Sequence, residues 1–582
     1  VKLLAALRTD ARAAVAPMVA MLGTALVGAA GFALDGGLYY VGSRDLRAVT
    51  DAAALSAAMN PAQALARARA TLTRNGYDPA IIQSVELGRY CADGRLTAAQ
   101  RFDPSLSRCT GNGQANAVRV RTQKPASRYL TRVLSAALPD LSATATAARI
   151  DEAGIGITSG MLTVSNSLVK SVNDMLGALL GIKLTLNSAT IEALMRSDVD
   201  AGRFFDALAR RVGESGSYAD LTARTVGLQD LLLAMAEGAG NAPTAAALNL
   251  VAGQVSNGYS VPLTGLFGLG VWKDMPVGGA DEQPALRAGI NAYQLFAFAV
   301  QSGNGAIDLS DAVSLLGGGS TVRLAGLATG PMDRPRFSFG PAGETSVGTS
   351  ALRLKLDLAL TGISVLGSPV EPLSLLIDIA PARAEVSAIA CPDTAEQARD
   401  TRVTAHVQSG LVNAYLGVPP ANAMARPMPP ISAADIGQAR LVNILNLITV
   451  DARAVAQPVM GTSGDLLFGP GGQGSIGRPG APGTPASIGN GSQTGPLLTS
   501  LIASLTAANG LQLKVGPLCL PLVCDSAGAR SILLGAITAP VTGLLGTAAD
   551  PLLDNLLAAL GIQLGHATLW ATGARCGVPV LV

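Results

Sequence analysis

The sequence predicts an α+β protein: one N-terminal transmembrane helix that continues into a helical stalk, then a mixed helical and antiparallel β body. Three observations predict it. Ala13 to Leu34 carries no charged side chain. Apolar residues at helical spacing continue beyond that run and recur as far as Val300. From Val322 the apolar period changes to two, the period of a strand.

The uncharged run is AAVAPMVAMLGTALVGAAGFAL, preceded by Lys2, Arg8 and Arg12 against one acid, Asp10. At a helical rise of ~1.5 Å per residue it is roughly 33 Å long, enough to cross a bilayer core of about 30 Å. A helix satisfies its own backbone in lipid, and the basic flank should stay in the cytoplasm. Everything after Asp35 then lies on the far side. A cleaved signal peptide, ending near Gly28-Ala29-Ala30, would have a shorter apolar region. A buried soluble helix would carry a polar face, and this run has none. Pro17 falls in the first turn, where its missing N–H costs little. The anchor reading stands.

Beyond the anchor (1–34), a stalk is expected over 35–80. Leu38, Val41, Leu46, Val49, Ala53 and Leu55 fall on one helical face. Pro61 disfavours helical geometry at Asn60 and breaks the helix there. A second helix, Ala62 to Arg74, ends at Asn75-Gly76, a left-handed stop.

The segment AAVAPMVAMLGTALVGAAGFALDGGLYYVGSRDLRAVTDAAALSAA resembles the N-terminus of the TadG-like (TadE/G) proteins of tight-adherence, or Flp, pilus systems. Those open with a small-residue-rich membrane helix and a run of the form LDxGxxY…LQxAADAAALAAA. The residues that carry the resemblance are Asp35, Gly36, Gly37, Tyr39, Leu46, Ala48, Asp51, Ala52, Ala53, Ala54 and Leu55. The chain departs from the pattern at Arg47 and Thr50, where the family usually has Gln and Ala, and it lacks the Gly-then-Glu processing signal of cleaved pilins.

The resemblance implies a pilin-like spike on a bacterial inner-membrane, single-pass protein, with a periplasmic body serving pilus assembly or secretion by contact. The implied partners are the membrane and other Tad/Flp pilus assembly or pilin proteins. Gly23, Gly28 and Gly31 would let another membrane helix approach. A second reading, from a different class, is a periplasmic lipid- or hydrophobe-binding protein whose Leu-rich strands and Ala/Leu helices enclose an apolar tunnel.

Residues 81–150 are similar to the small β-rich module that follows the stalk in such proteins. Val118, Val120 and Thr122 alternate with Arg119 and Arg121, a half-exposed strand. Tyr129 to Leu138 is expected as a helix and Leu141 to Ile150 as a returning strand. Residues 151–330 read as mainly helical. Met161 to Leu180 contains a helix, Ile182 to Leu186 alternates like a strand, and Val199 to Val212, Tyr218 to Met235 and Pro243 to Val255 read as three helices. Asp198 and Asp220 suit helix caps or first turns, and Leu286 to Val300 is a further helix whose Tyr293, Phe296 and Phe298 belong in a core.

Residues 331–468 read as an antiparallel β domain. Leu352, Leu354, Leu356, Leu358 and Leu360 share one face, with Arg353, Lys355 and Asp357 on the other. Leu373 to Ile379 repeats the pattern, and a third strand of the same sheet spans Ala384 to Ile389. Residues 469–496 are so rich in Gly and Pro that a flexible or partly extended linker is expected. Residues 497–582 form a C-terminal α+β module: helix Leu497 to Ala508, strand Leu511 to Val515, helix Pro551 to Leu560 and strand Ile562 to Ala571.

Composition excludes several functions. A net charge of +2 over 582 residues offers no concentrated basic face, so no nucleic-acid partner is expected. The two histidines, His406 and His566, lie far apart, and no G-x-S-x-G, H-E-x-x-H or G-x4-G-K-[ST] occurs. GPGGQG at 469–474 fits G-x-G-x-x-G literally but sits in the Gly/Pro-rich stretch, where neither a strand before it nor a helix after it is expected. No catalytic, cofactor-binding or metal-ligating site is expected; Asp198 with Asp200, and Asp281 with Glu282, read as solvated turns and caps. The six cysteines, Cys91, Cys109, Cys391, Cys519, Cys524 and Cys576, suit disulfides on the outer side of a membrane. Short loops favour Cys91 with Cys109 and Cys519 with Cys524, leaving Cys391 with Cys576, among fifteen possible connectivities.

Overall fold

The computed structural model describes residues 15–582 except 92–95, 98–99, 109–114, 129–138, 159–165, 256–257, 279–285, 304–321, 330–332, 359–363, 366–367, 370, 393–399, 426, 445–447, 458–460, 479–480, 482, 490–493, 508–509, 516–534, 536–556 and 558–563. The chain divides into two compact units, one of residues 1–150 with 576–582 and one of residues 151–575.

In the first unit helix α1 spans Val15–Ala58 without interruption, 44 residues and so roughly 66 Å. It stops where Pro61 opens a short 3-10 turn, Pro61–Gln63. Helix α2, Ala64–Arg74, ends at Asn75, and Gly76 takes φ +77°, a left-handed conformation that costs glycine nothing. Strands β1 (Ile82–Tyr90), β2 (Phe102–Asp103), β3 (Ala117–Lys124) and the start of β4 (Leu141–Thr158) follow. β3 lies between β1 and β4 and is antiparallel to both. Val118, Val120 and Thr122 point inward, while Arg119 and Arg121 each lie 3.9 Å from Glu86 on the other face. The expected helix Tyr129 to Leu138 lies outside the described residues.

The second unit opens with helices. α3 (Asn166–Leu180) and α4 (Ser188–Met195) flank the stretch expected to be a strand, and there the structure differs. Ile182 to Leu186 keeps its alternation, with Leu184 and Leu186 buried, but joins no sheet. The Asn173 side chain takes the part of a neighbouring strand, accepting from Leu186 N–H at 2.7 Å and donating to its carbonyl at 2.8 Å. Next come β5 (Asp198–Asp200), α5 (Ala201–Val212), α6 (Tyr218–Thr222), α7 (Leu228–Gly238), α8 (Ala242–Gln254), β6 (Gly289–Asn291) and α9 (Ala292–Gly303). Tyr218 to Met235 is therefore two helices. A Ser217–Asp220 capping box starts the first, and a short strand, Thr225–Gly227, paired with Ser260–Pro262, separates them. Asp220 is the first-turn acid expected of it. Asp198 is not a cap: Asp200 caps α5, accepting from Arg203 N–H at 3.1 Å.

Strands expected in one sheet of the β-rich part are divided between two. Val322–Thr329, β7 (Leu352–Leu358), β8 (Leu373–Ile379) and Ala454–Val455, with β10 (Val412–Gly417) between β8 and Ala454–Val455, form a five-stranded antiparallel sheet. β9 (Arg383–Ala390) belongs to the other, with Ser346–Gly348, Arg402–Gln408 and Ser463–Phe468. The reason is that β7 and β10 already occupy both edges of β8. The chain turns out of the first sheet at Ala380, beside Gly410, where any Cβ would come within 2.1 Å of the Ala380 carbonyl.

The described residues of the Gly/Pro-rich stretch are folded through 489. Ser475 and Thr484 exchange hydrogen bonds of 2.7–3.0 Å, Ile476 bridges Ala571, and Ala486–Ile488 pairs with the start of β11 (Ala567–Leu581). Its glycines serve close backbone approach: a Cβ on Gly483 would sit 2.1 Å from the Ser475 carbonyl. α10 (Thr494–Thr506) and strand Leu511–Val515 follow, close to expectation. The last strand starts five residues later than expected and runs to Leu581, and the expected helix Pro551 to Leu560 falls in residues of which only Leu557 is described.

Candidate functional site

The element with functional content is α1. Its first half exposes Met18, Val19, Met21, Leu22, Leu26 and Val27, each more than 60 % accessible. By length and composition this is one helix able to cross a membrane. At Gly23 and Gly28 nothing stands within 4 Å of where a Cβ would be, so the backbone is open to close approach by another helix. Its second half is the core of the first unit. Leu46, Ala53, Ala54, Ala57 and Ala58 have no exposed surface and pack with Val118, Val120, Leu141, Ala145 and Ala147 of the sheet. Small side chains on the helix let the sheet come close, and the Leu/Val contacts supply the apolar burial, about 25 cal/mol per Å².

The motif residues divide along this helix. Asp35 is fully buried, whereas Gly36 and Gly37 are exposed with open space around them. Tyr39 and Leu55 are half-buried and pack against the core, Leu46 is inside it, and Asp51 is half-buried one turn after Arg47. The helix thus runs unbroken from an exposed apolar stretch into the packed core of the first unit.

One residue of this junction was missed by sequence reasoning. Thr50, noted above only as a departure from the family pattern, is fully buried. Its hydroxyl donates to the Leu46 carbonyl at 2.6 Å and lies 2.6 Å from the hydroxyl of Thr122 on β3. A hydroxyl has one hydrogen, so Thr122 is the donor between the two. The signal was present, since Thr122 is the one polar member of the inward row of β3.

Cys91, Cys391 and Cys576 are each disulfide-bonded, and Cys109, Cys519 and Cys524 lie outside the described residues. His406 is exposed with Nδ1 2.8 Å from Asp465, and His566 Nδ1 is 3.4 Å from the Thr568 hydroxyl.

The second unit holds buried polar groups that the sequence did not announce. Arg353, expected on the outer face of its strand, is 1 % exposed. It donates to Asp378 at 2.6 Å and to the carbonyls of Ala423 and Pro429 at 2.9 Å, because Met424, Ile431, Ala433 and Ile436 pack on that face of the sheet. Glu152 accepts from Trp272 Nε1 at 2.8 Å and from Arg575 Nε at 2.6 Å. Burial raises its pKa, with the Arg575 charge and these hydrogen bonds opposing. Arg336 lies under the Phe298 ring, 3.9 Å from its centroid, and burial lowers its pKa to about 9. Each of these groups joins separate elements of the unit, and none aligns a nucleophile with a base.

Fold and junction together define a class: an α+β protein whose long apolar N-terminal helix is built into a small α/β unit. Sequence comparison then narrows it. Residues 50–147 match the family model described as Tad-like Flp pilus-assembly, which covers the junction and its sheet. Residues 169–301 match a domain of unknown function, DUF8293, which covers the helices of the second unit. No curated protein and no solved structure matches the chain.

Proposed function

We propose that this chain is a membrane-anchored structural protein of a Tad (Flp) pilus or related secretion apparatus, acting through protein contacts. The observation that carries the reading is the continuity of α1, which runs from an exposed apolar rod into the core of a unit similar to Tad-like Flp pilus-assembly proteins. The basic flank at Lys2, Arg8 and Arg12 keeps the N-terminus in the cytoplasm and the body in the periplasm. The anchor holds the body near the pilus base, and no chemical step is required of it. Cys391 with Cys576, Cys91 with Cys109 and Cys519 with Cys524 are the disulfides that suit this compartment.

The experiment is crosslinking in intact membranes, followed by capture of the chain and mass spectrometry of its partners and of its own N-terminus. Tad secretin, platform or pilin subunits together with an intact segment through Leu34 support the reading. A soluble chain that begins near Gly31 and carries no Tad partner refutes it.

A further inference from the structure

We propose that Asp198 is a proton-operated latch for the helical part of the second unit: protonated, it closes the β5–β6 strand pair, and ionised, it opens it. Asp198 lies opposite Asn291 in that antiparallel pair and is 1 % exposed. Neither carboxyl oxygen has a donor in good hydrogen-bonding geometry, the Asn291 amide being the one side-chain donor near enough to favour its charged form. The Asn291 amide beside it gives its hydrogens to the carbonyls of Met195 at 2.8 Å and Ser197 at 3.4 Å. The carboxyl is pressed onto Gly289, where a Cβ would stand 2.6 Å from Oδ2.

Among the described residues, the charged groups on the neighbouring elements are paired elsewhere or at least partly exposed. Arg287, just before β6, is turned to Asp200, 3.3 Å away, and β6 itself carries no charge. On α5, Arg203 is exposed and Asp206 accepts from the Tyr218 hydroxyl and Gly278 N–H. On α7, Glu237 is paired with Arg210 and Arg211, and Asp230 sits half-buried by Gly227. Tyr293 on α9 is buried and neutral. A carboxylate in such a place has lost its water and gained no cation and no well-aligned donor, a cost of several kcal/mol in an apolar setting, so the neutral acid is the form that fits.

The location gives the proton mechanical leverage. β5 leads directly into α5, which Asp200 caps, and β6 leads into α9, where Asn291 accepts from Gln294 N–H at 3.1 Å. Separating the strands frees the first turns of both helices at once. Burial raises the Asp198 pKa from 3.8 to about 7, with the nearby Asn291 amide opposing. The sign follows: an acid whose folded pKa is raised contributes stability below its unfolded pKa, and that stability is lost as pH rises toward about 7.

The test is hydrogen–deuterium exchange with mass spectrometry on the full chain in detergent micelles, from pH 5 to pH 8, with rates corrected for intrinsic base catalysis. In the wild type, protection of peptides covering 196–203 and 286–295 should fall roughly fifty-fold between pH 5 and pH 7 and level off above pH 8. Peptides from β7 and β8 should not change. In Asp198→Asn the first two peptides should show no dependence on pH. A flat wild-type profile overturns the proposal, and so does an unchanged slope in Asp198→Asn. If that variant does not fold, the wild-type profile decides alone, with Asp200→Asn as the control that keeps the slope.

Discussion

The buried hydroxyl pair Thr50–Thr122 makes an asymmetric prediction about the junction between α1 and its sheet. In Thr122→Val the shape of the side chain is kept, and Thr50 still donates to the Leu46 carbonyl. What is lost is one net hydrogen bond, about 0.5–1.5 kcal/mol. In Thr50→Ala the Thr122 hydroxyl, at a position 1 % exposed, is left with a hydrogen and no acceptor, and a small void opens. That costs about 1–3 kcal/mol, since an orphaned buried donor loses its full desolvation penalty. The double variant removes both partners and should be more stable than the sum of the two single losses, by about 1 kcal/mol. Pulse proteolysis across a urea series, on the full chain in micelles, measures all three. Additive losses, or Thr122→Val costing more than Thr50→Ala, would refute the assignment of donor and acceptor.

Two further changes probe the second unit. Arg353→Met leaves Asp378 and two carbonyls without their donor and should destabilise the unit by about 3–5 kcal/mol, read as a shift in its urea midpoint. Adding Asp378→Leu should recover part of that loss, and no recovery would mean the pair does not act as a unit. Gly483→Ala forces a Cβ against the Ser475 carbonyl and should release the folded loop, seen as new protease cleavage between residues 469 and 489. A loop equally resistant in this variant would return the stretch to the linker expected from its composition.

Patterns that repeat along a single element were legible in the sequence. The uncharged run, the break at Asn60-Pro61, the stop at Asn75-Gly76, the inward row of β3 and the Leu rows of β7 and β8 all follow from local spacing and local φ preference. The buried face of α1 was legible for the same reason, because helix period and small residues are written in consecutive positions. What the sequence left open lies where one element's environment is made by another. Ile182 to Leu186 has a strand's alternation, yet its backbone bonds go to Gly177 and to the side chains of Gln254 and Asn173 rather than to a neighbouring strand. β9 has a strand's pattern, yet its sheet is decided by which edges of β8 are already filled.

By itself, then, the sequence determined the elements with strong period and the apolar helix at the front, since these depend on residues within a few positions of one another. Only the tertiary structure decided which polar side chains would lose water. Arg353 and Lys355 alternate identically with leucine, but Met424, Ile431, Ala433 and Ile436 cover the first and leave the second half-exposed. Asp198 and Asp200 stand two apart on one strand, but the cation of Arg287 reaches only Asp200. Burial and charge pairing are properties of distance in space, and the linear order of residues does not contain them.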